Sequence, residues 1–141
     1  MAAYVKFYIA TEDTAKGKHN FGSDTLKFTL SNTGPSQSNA LLSDITQISN
    51  GNGFTTGGST TAQQSCAQST GTLKLVVTDT VFTASGGTIG AFRYVVFYNS
   101  TPTSPLKPLI SYWDYGSSIT LASGETFTVD ADDTNGVFTI A

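Results

Sequence analysis

Hydrophobic and polar residues are not spread evenly along this chain, and the densest apolar stretch runs from Gly90 to Val129. Ala91-Phe92-Arg93-Tyr94-Val95-Val96-Phe97-Tyr98 is apolar at nearly every position. A half-exposed strand would alternate, so this run predicts a strand covered on both faces, by a second layer of the domain or by another chain. Leu109-Ile110-Ser111-Tyr112-Trp113 is a second strand-like run, and Thr126-Phe127-Thr128-Val129 a third, alternating one. β-Branched and aromatic residues suit a pleated surface, which favours strands throughout this block. In extended geometry Leu109, Ser111, Trp113 and Tyr115 share one face, and Ile110, Tyr112 and Asp114 the other.

Elsewhere the pattern is shorter-ranged. Val5, Phe7 and Ile9 alternate like a strand, while Tyr4, Phe7 and Tyr8 would share a helical face. The segment reads as helix or strand, leaning to a short helix ended by Gly17. Leu26-Lys27-Phe28-Thr29-Leu30-Ser31 alternates, with Leu26, Phe28 and Leu30 facing inward. Leu41, Leu42, Ile45 and Ile48 recur at helical spacing behind Ser38 or Asn39 as a cap, which predicts a helix over the sheet. Phe54 is an anchor for a glycine-rich loop, and Thr60–Val77 a hairpin with a weak, exposed first strand. Val81-Phe82 and Val137–Ile140 add strands, the latter entered from an Asn135-Gly136 turn. Seven to nine short strands between Gly, Asn and Ser turns predict one domain over residues 1–141. Its expected fold is an antiparallel β-sandwich or jelly-roll-like barrel with one or two short helices. Phe28, Val96, Trp113 and Phe127 are its expected core.

Composition narrows the function. Charged residues are 12% of 141, the net charge is −3, and Lys and Arg total seven. So few cations argue against phosphate neutralisation, and hence against nucleic-acid binding. One cysteine, Cys66, makes no internal disulfide. The beginning of the chain lacks the basic and apolar regions of a signal peptide, and no apolar run is long enough for a membrane span. Asn99-Ser100-Thr101 matches the glycosylation acceptor by chance on this reading.

Candidate chemistry is sparse. His19 is the only histidine and no G-x-S-x-G elbow is present, so His19 reads as a surface or capping residue. One Cys and one His cannot complete a zinc site. Asp130-Ala131-Asp132-Asp133-Thr134-Asn135-Gly136 has acids at calcium-loop positions, but glycine falls at the seventh place and Ala141 at the twelfth. A turn with solvated acids is the better reading. Asp114 and Glu125 are the acids of the apolar block, and nothing in the sequence sets their separation for glycoside hydrolysis. Asp114 is expected to accept from backbone donors at Tyr115-Gly116. No enzyme activity, cofactor or metal is expected. The cluster of Tyr94, Tyr98, Tyr112, Trp113 and Tyr115 reads either as plain core or as part of an interface, where tyrosine is enriched, and Tyr98, Tyr112 and Tyr115 are the interface candidates.

The chain resembles a family of small virion proteins of tailed bacteriophages. The resemblance rests on His19-Asn20-Phe21-Gly22-Ser23-Asp24-Thr25-Leu26-Lys27, Gly51-Asn52-Gly53-Phe54-Thr55, Tyr112-Trp113-Asp114-Tyr115-Gly116-Ser117-Ser118 and Gly124-Glu125-Thr126-Phe127-Thr128-Val129. The polar stretch Thr11–Lys18 departs from it, where a more apolar amphipathic helix belongs. The resemblance implies a capsid decoration, or cement, protein made in the host cytoplasm and located in the virion. Its implied partners are the major capsid protein and other copies of itself, a trimer being favoured. A tail, neck or fibre component is the alternative within the particle. A carbohydrate-binding module using Trp113 or a tyrosine is the alternative outside it. With so few ion pairs available, attachment is expected to weaken little with salt.

Overall fold

A computed structural model describes residues 2–141. The chain opens with β1 (Ala3–Lys6) and α1 (Tyr8–Ala15), then β2 (Leu26–Ser31), β3 (Ser59–Thr61), β4 (Gln63–Ser69) and β5 (Thr72–Val77). It continues through β6 (Thr80–Thr83), β7 (Ile89–Asn99), β8 (Leu109–Leu121), β9 (Thr126–Val129) and β10 (Phe138–Ile140). Every strand pair is antiparallel. One sheet has the order β1-β8-β7-β2-β3, a second β10-β5-β4, and β6 pairs with β9. No ladder joins these sheets, so the layers stack as a sandwich and do not close into a barrel.

The unbroken apolar run of β7 is explained within one chain. Val95 and Phe97 point into the main core with Phe28, Leu30, Ile110, Leu75, Val77 and Phe82. Val96 and Tyr98 point to the opposite face, where Phe7, Leu42, Ile45 and Leu109 cover them. Both faces of the strand are dry from Val95 to Asn99, which is why polar alternation is missing there, whereas Ala91 is exposed and Arg93 and Tyr94 are half-buried.

Two expected helices resolve differently. Residues 3–15 hold both a strand and a helix, and the chain switches at Phe7, whose N–H bonds the Ile110 carbonyl 3.1 Å away. The helix expected over Leu41–Ile48 is only one 3-10 turn, Leu42–Asp44. Its backbone is committed elsewhere: Leu42 N–H to Lys107, Ile48 N–H to Leu30, and the Ala40 carbonyl to Leu109 N–H. The Asp44 carboxylate also takes the Ala40 and Leu41 N–H groups, at 2.9 and 3.0 Å, and caps the start of this single turn. Leu42 and Ile45 still bury together, because three residues apart also share a face in a 3-10 turn.

Register shifts place the side chains of β8. Phe97 faces Ser111 and Tyr98 faces Leu109, so Ile110 is the extra residue of a bulge. The face therefore switches there: Leu109 and Tyr112 go outward, Ile110 and Trp113 inward. This corrects the simple alternation that put Leu109 with Trp113. A larger irregularity follows, where Phe92 to Tyr94 on β7 faces Ile119 to Asp114 on β8. There Tyr115-Gly116-Ser117-Ser118 stands opposite the single residue Arg93, and the four are exposed, with Gly116 at φ +95°.

Candidate functional site

Beside β1 the two layers part and leave an open cleft of about 890 Å³. Its inner walls come from Tyr4 on β1, Trp113 and Tyr115 on β8, and Phe127 on β9. Phe28, Val95, Ala131 and Val137 form the floor. Asp130, Asp132 and Asp133, on the loop between β9 and β10, stand at the rim. No Lys, Arg, His or Cys lines it.

The rings are held edge to face. Tyr4 meets Trp113 at 5.3 Å between centroids, and Trp113 meets Phe28 at 5.9 Å. Tyr115 meets Phe127 at 6.0 Å, and Phe127 meets Phe92 at 5.0 Å. Such contacts fix ring orientation while leaving one side open to the cleft. Tyr4 and Tyr115 are 45% and 52% exposed, high values for rings that also contact neighbours.

The acidic rim is held by its own turn. Asp132 accepts from the N–H groups of Thr134 and Asn135 and from the Asn135 amide, and these bonds hold its carboxyl below the ordinary range. Gly136 lies at φ +81°, and a Cβ there would come within 2.6 Å of the Leu75 carbonyl oxygen. Glycine at that position lets the loop press on β5, which brings the aspartates over the cleft. Neither Asp130 nor Asp133 is in an ion pair among the described residues. Asp132 spends both oxygens on its turn, and no group of three or more metal-ligating side chains is found among the described residues.

The sequence-derived candidates scatter across this geometry. Phe28 and Val96 are fully buried, on opposite faces of the large sheet. Trp113 and Phe127 pack against the main core but are only half-buried, as walls of the cleft. Tyr98, expected at an interface, is 1% exposed, and its hydroxyl donates to the Gly57 carbonyl at 2.6 Å. That is a correction: Tyr98 is a core residue with a satisfied polar tip. Tyr112 is half-buried on the outward face against Phe7 and Tyr94, away from the cleft. Of the three tyrosines only Tyr115 lines the cleft; Tyr4 is the ring that the sequence pattern missed.

Asp114 does accept from the Gly116 N–H, at 2.8 Å. It is also gripped by Arg93 across the strands, Nε to Oδ1 at 2.7 Å and Nη2 to Oδ2 at 2.9 Å, which lowers its pKa. Glu125 instead caps its own turn through the Ala122 N–H. Neither acid lines the cleft, so the structure does not assemble them as a hydrolytic pair.

His19 is a second correction. It is 7% exposed, stacked on Phe21, with Nδ1 facing the Asn99 amide nitrogen at 3.2 Å. The same amide donates to Asp24 at 2.6 Å, so Nδ1 acts as acceptor and the ring is neutral. Burial pushes its pKa down to about 4, against the pull of Asp24. The arrangement ties the 19–25 turn to the end of β7 and has no hydroxyl or thiol nucleophile on the ring. Asn99 itself is fully buried and bonded, which removes it as a glycan acceptor in the folded chain.

No family model matches the chain, and no curated protein or solved structure shows significant similarity to it.

Proposed function

We propose that this protein is a virion structural component of the tailed-phage type, a decoration protein that attaches to the assembled head and stabilises it. The observation that carries the reading is the cleft. The sandwich opens an aromatic-walled recess at its edge, rimmed by three aspartates and, among the described residues, free of Lys, Arg, His and Cys. Such a surface is suited to gripping a partner. The sequence resemblance supplies the station in the particle. The apolar run of β7 no longer argues for a trimer, because Phe7, Leu42 and Ile45 cover its second face. Trimerisation therefore rests on the resemblance alone.

A second reading has its own support. Aromatic rings beside carboxylates suit the apolar faces and hydroxyls of a sugar, so a carbohydrate-binding module is the alternative. The test uses purified heads that lack the protein, separated tails and a glycan array. Saturable binding to heads, with increased resistance to heat, supports decoration. Binding to tails alone moves the protein to the tail, and binding to glycans alone replaces the reading.

A further inference from the structure

We propose that the cleft takes an extended peptide from the partner, which adds to β1 as a further strand and carries an apolar side chain beside a lysine or arginine. The inference rests on the docking reading and names the chemistry of what docks.

Three observations carry it. The first is the edge. β1 is the outermost strand of its sheet. The Phe7 N–H points to β8, bonding Ile110, whereas the Lys6 carbonyl points away and accepts from the Gln37 amide at 3.1 Å. Backbone direction alternates along a strand, so the N–H and C=O of Tyr4 also point away from β8. Among the described residues no turn or loop backbone group bonds either of them, and an added strand would pair with them.

Side-chain direction is the second. Tyr4 contacts Trp113 on the inward face, at 5.3 Å between ring centroids. A strand laid beside Tyr4 has the same pleat, and every second side chain would enter the space bounded by Tyr4, Trp113 and Phe127.

Charge is the third. Asp130, Asp132 and Asp133 face the same space, and no cation lines it. Among the described residues the acids are in no ion pair; the Lys74 ammonium, which donates to the Thr134 carbonyl, helps hold the Asp132 pKa down but pairs with no carboxylate. A basic residue next to the buried apolar one would meet this rim. Three acids therefore stand together at one rim, so attachment should have a salt-sensitive component, against the expectation drawn from low overall charge.

Trp113 is the only tryptophan and reports directly on the cleft. The probes are acetylated eight-residue peptides alternating Val with Thr and carrying either two Lys or two Glu, and maltoheptaose and chitohexaose as glycans. The Lys peptide is expected to shift Trp113 emission saturably and slow exchange of the Tyr4 amide. It should bind about tenfold tighter than the Glu peptide at low salt. The double variant Asp130→Asn/Asp133→Asn, changed only at the rim, should remove most of that preference. Tyr4→Pro, which lacks the outward N–H, should bind more weakly than Tyr4→Ala, which keeps it. Equal affinity for Lys and Glu peptides, no peptide binding, or an unchanged Tyr4 amide overturns the proposal. Saturable glycan quenching without peptide binding overturns it also, as does concentration-dependent self-association that fills the cleft. Heads that take up the double variant and Tyr4→Pro as well as wild type would remove the peptide inference and leave the docking reading intact. Heads and tails that bind no wild-type protein would remove the docking reading itself.

Discussion

At the scale of single residues, two buried ionisable groups set how stability depends on pH. His19 is held neutral with a pKa of about 4, whereas an unfolded histidine titrates near 6.5. Below that unfolded value the denatured chain takes up a proton that the folded chain refuses. Stability therefore falls as pH drops from about 6.5 to 4, by about 3 kcal/mol. Urea denaturation at several pH values should show the decline, and His19→Gln should flatten it. Asp13 acts in the opposite sense. Its carboxyl is buried on α1, its Oδ2 lacks a hydrogen-bond partner among the described residues, and burial raises its pKa. The charged form is thus unfavourable in the folded protein at neutral pH. Asp13→Asn should raise stability by about 1 kcal/mol at pH 7, and the gain should shrink as acid protonates the native carboxyl. An unchanged denaturation midpoint at neutral pH would show that the carboxyl is already relieved of its charge.

At the scale of elements, β8 and the loop before β10 build the cleft. Trp113 packs on Phe28 and Phe97 with one side open, so Trp113→Ala removes part of a core contact and part of a surface. The expected cost is about 2–3 kcal/mol, below that of a fully buried tryptophan. Thermal unfolding would measure it, and a loss above about 4 kcal/mol would place the indole in the closed core. Gly136→Ala tests the loop. Its Cβ would press on the Leu75 carbonyl, and its φ of +81° disfavours any side chain. The variant should lose about 1–3 kcal/mol and shift the Trp113 emission, since the rim must move outward to relieve the clash. A stable variant with unchanged emission would show that the loop does not shape the cleft.

At the scale of the molecule, the strands of one sandwich enclose a main core and a smaller outer cluster. Far-UV circular dichroism should be strand-dominated, with a single cooperative transition reported alike by backbone and by Trp113. Separate transitions would mean that the β4–β5 hairpin or the β1 edge opens independently. Chelation should leave the transition where it is, because the described residues place no complete ligand set in the cleft. A shift of several degrees on calcium removal would give the Asp130–Asp133 turn a metal after all.

The sequence by itself determined the class of fold, because strand periodicity and turn residues are local signals that survive in almost any tertiary setting. It also indicated that the apolar run of β7 is covered on both faces, which holds from Val95 to Asn99 but not at the exposed Ala91. Only the tertiary structure decided what covers it, and the answer lies in residues more than fifty positions away, such as Leu42 and Ile45. The Leu41–Ile48 pattern fitted a helix, but long-range bonds to Leu30 and Lys107 outweighed that local preference. His19 looked like an exposed turn residue because its partner Asn99 is eighty residues distant, and no local signal announces such a bond. The cleft was half legible. Trp113, Tyr115 and Phe127 stood out as aromatics, but Tyr98 resembled them until its burial was seen. Bulges at Ile110 and at Tyr115–Ser118 chose which rings face inward, and a bulge reflects the pairing of two strands, which neither strand's sequence encodes alone.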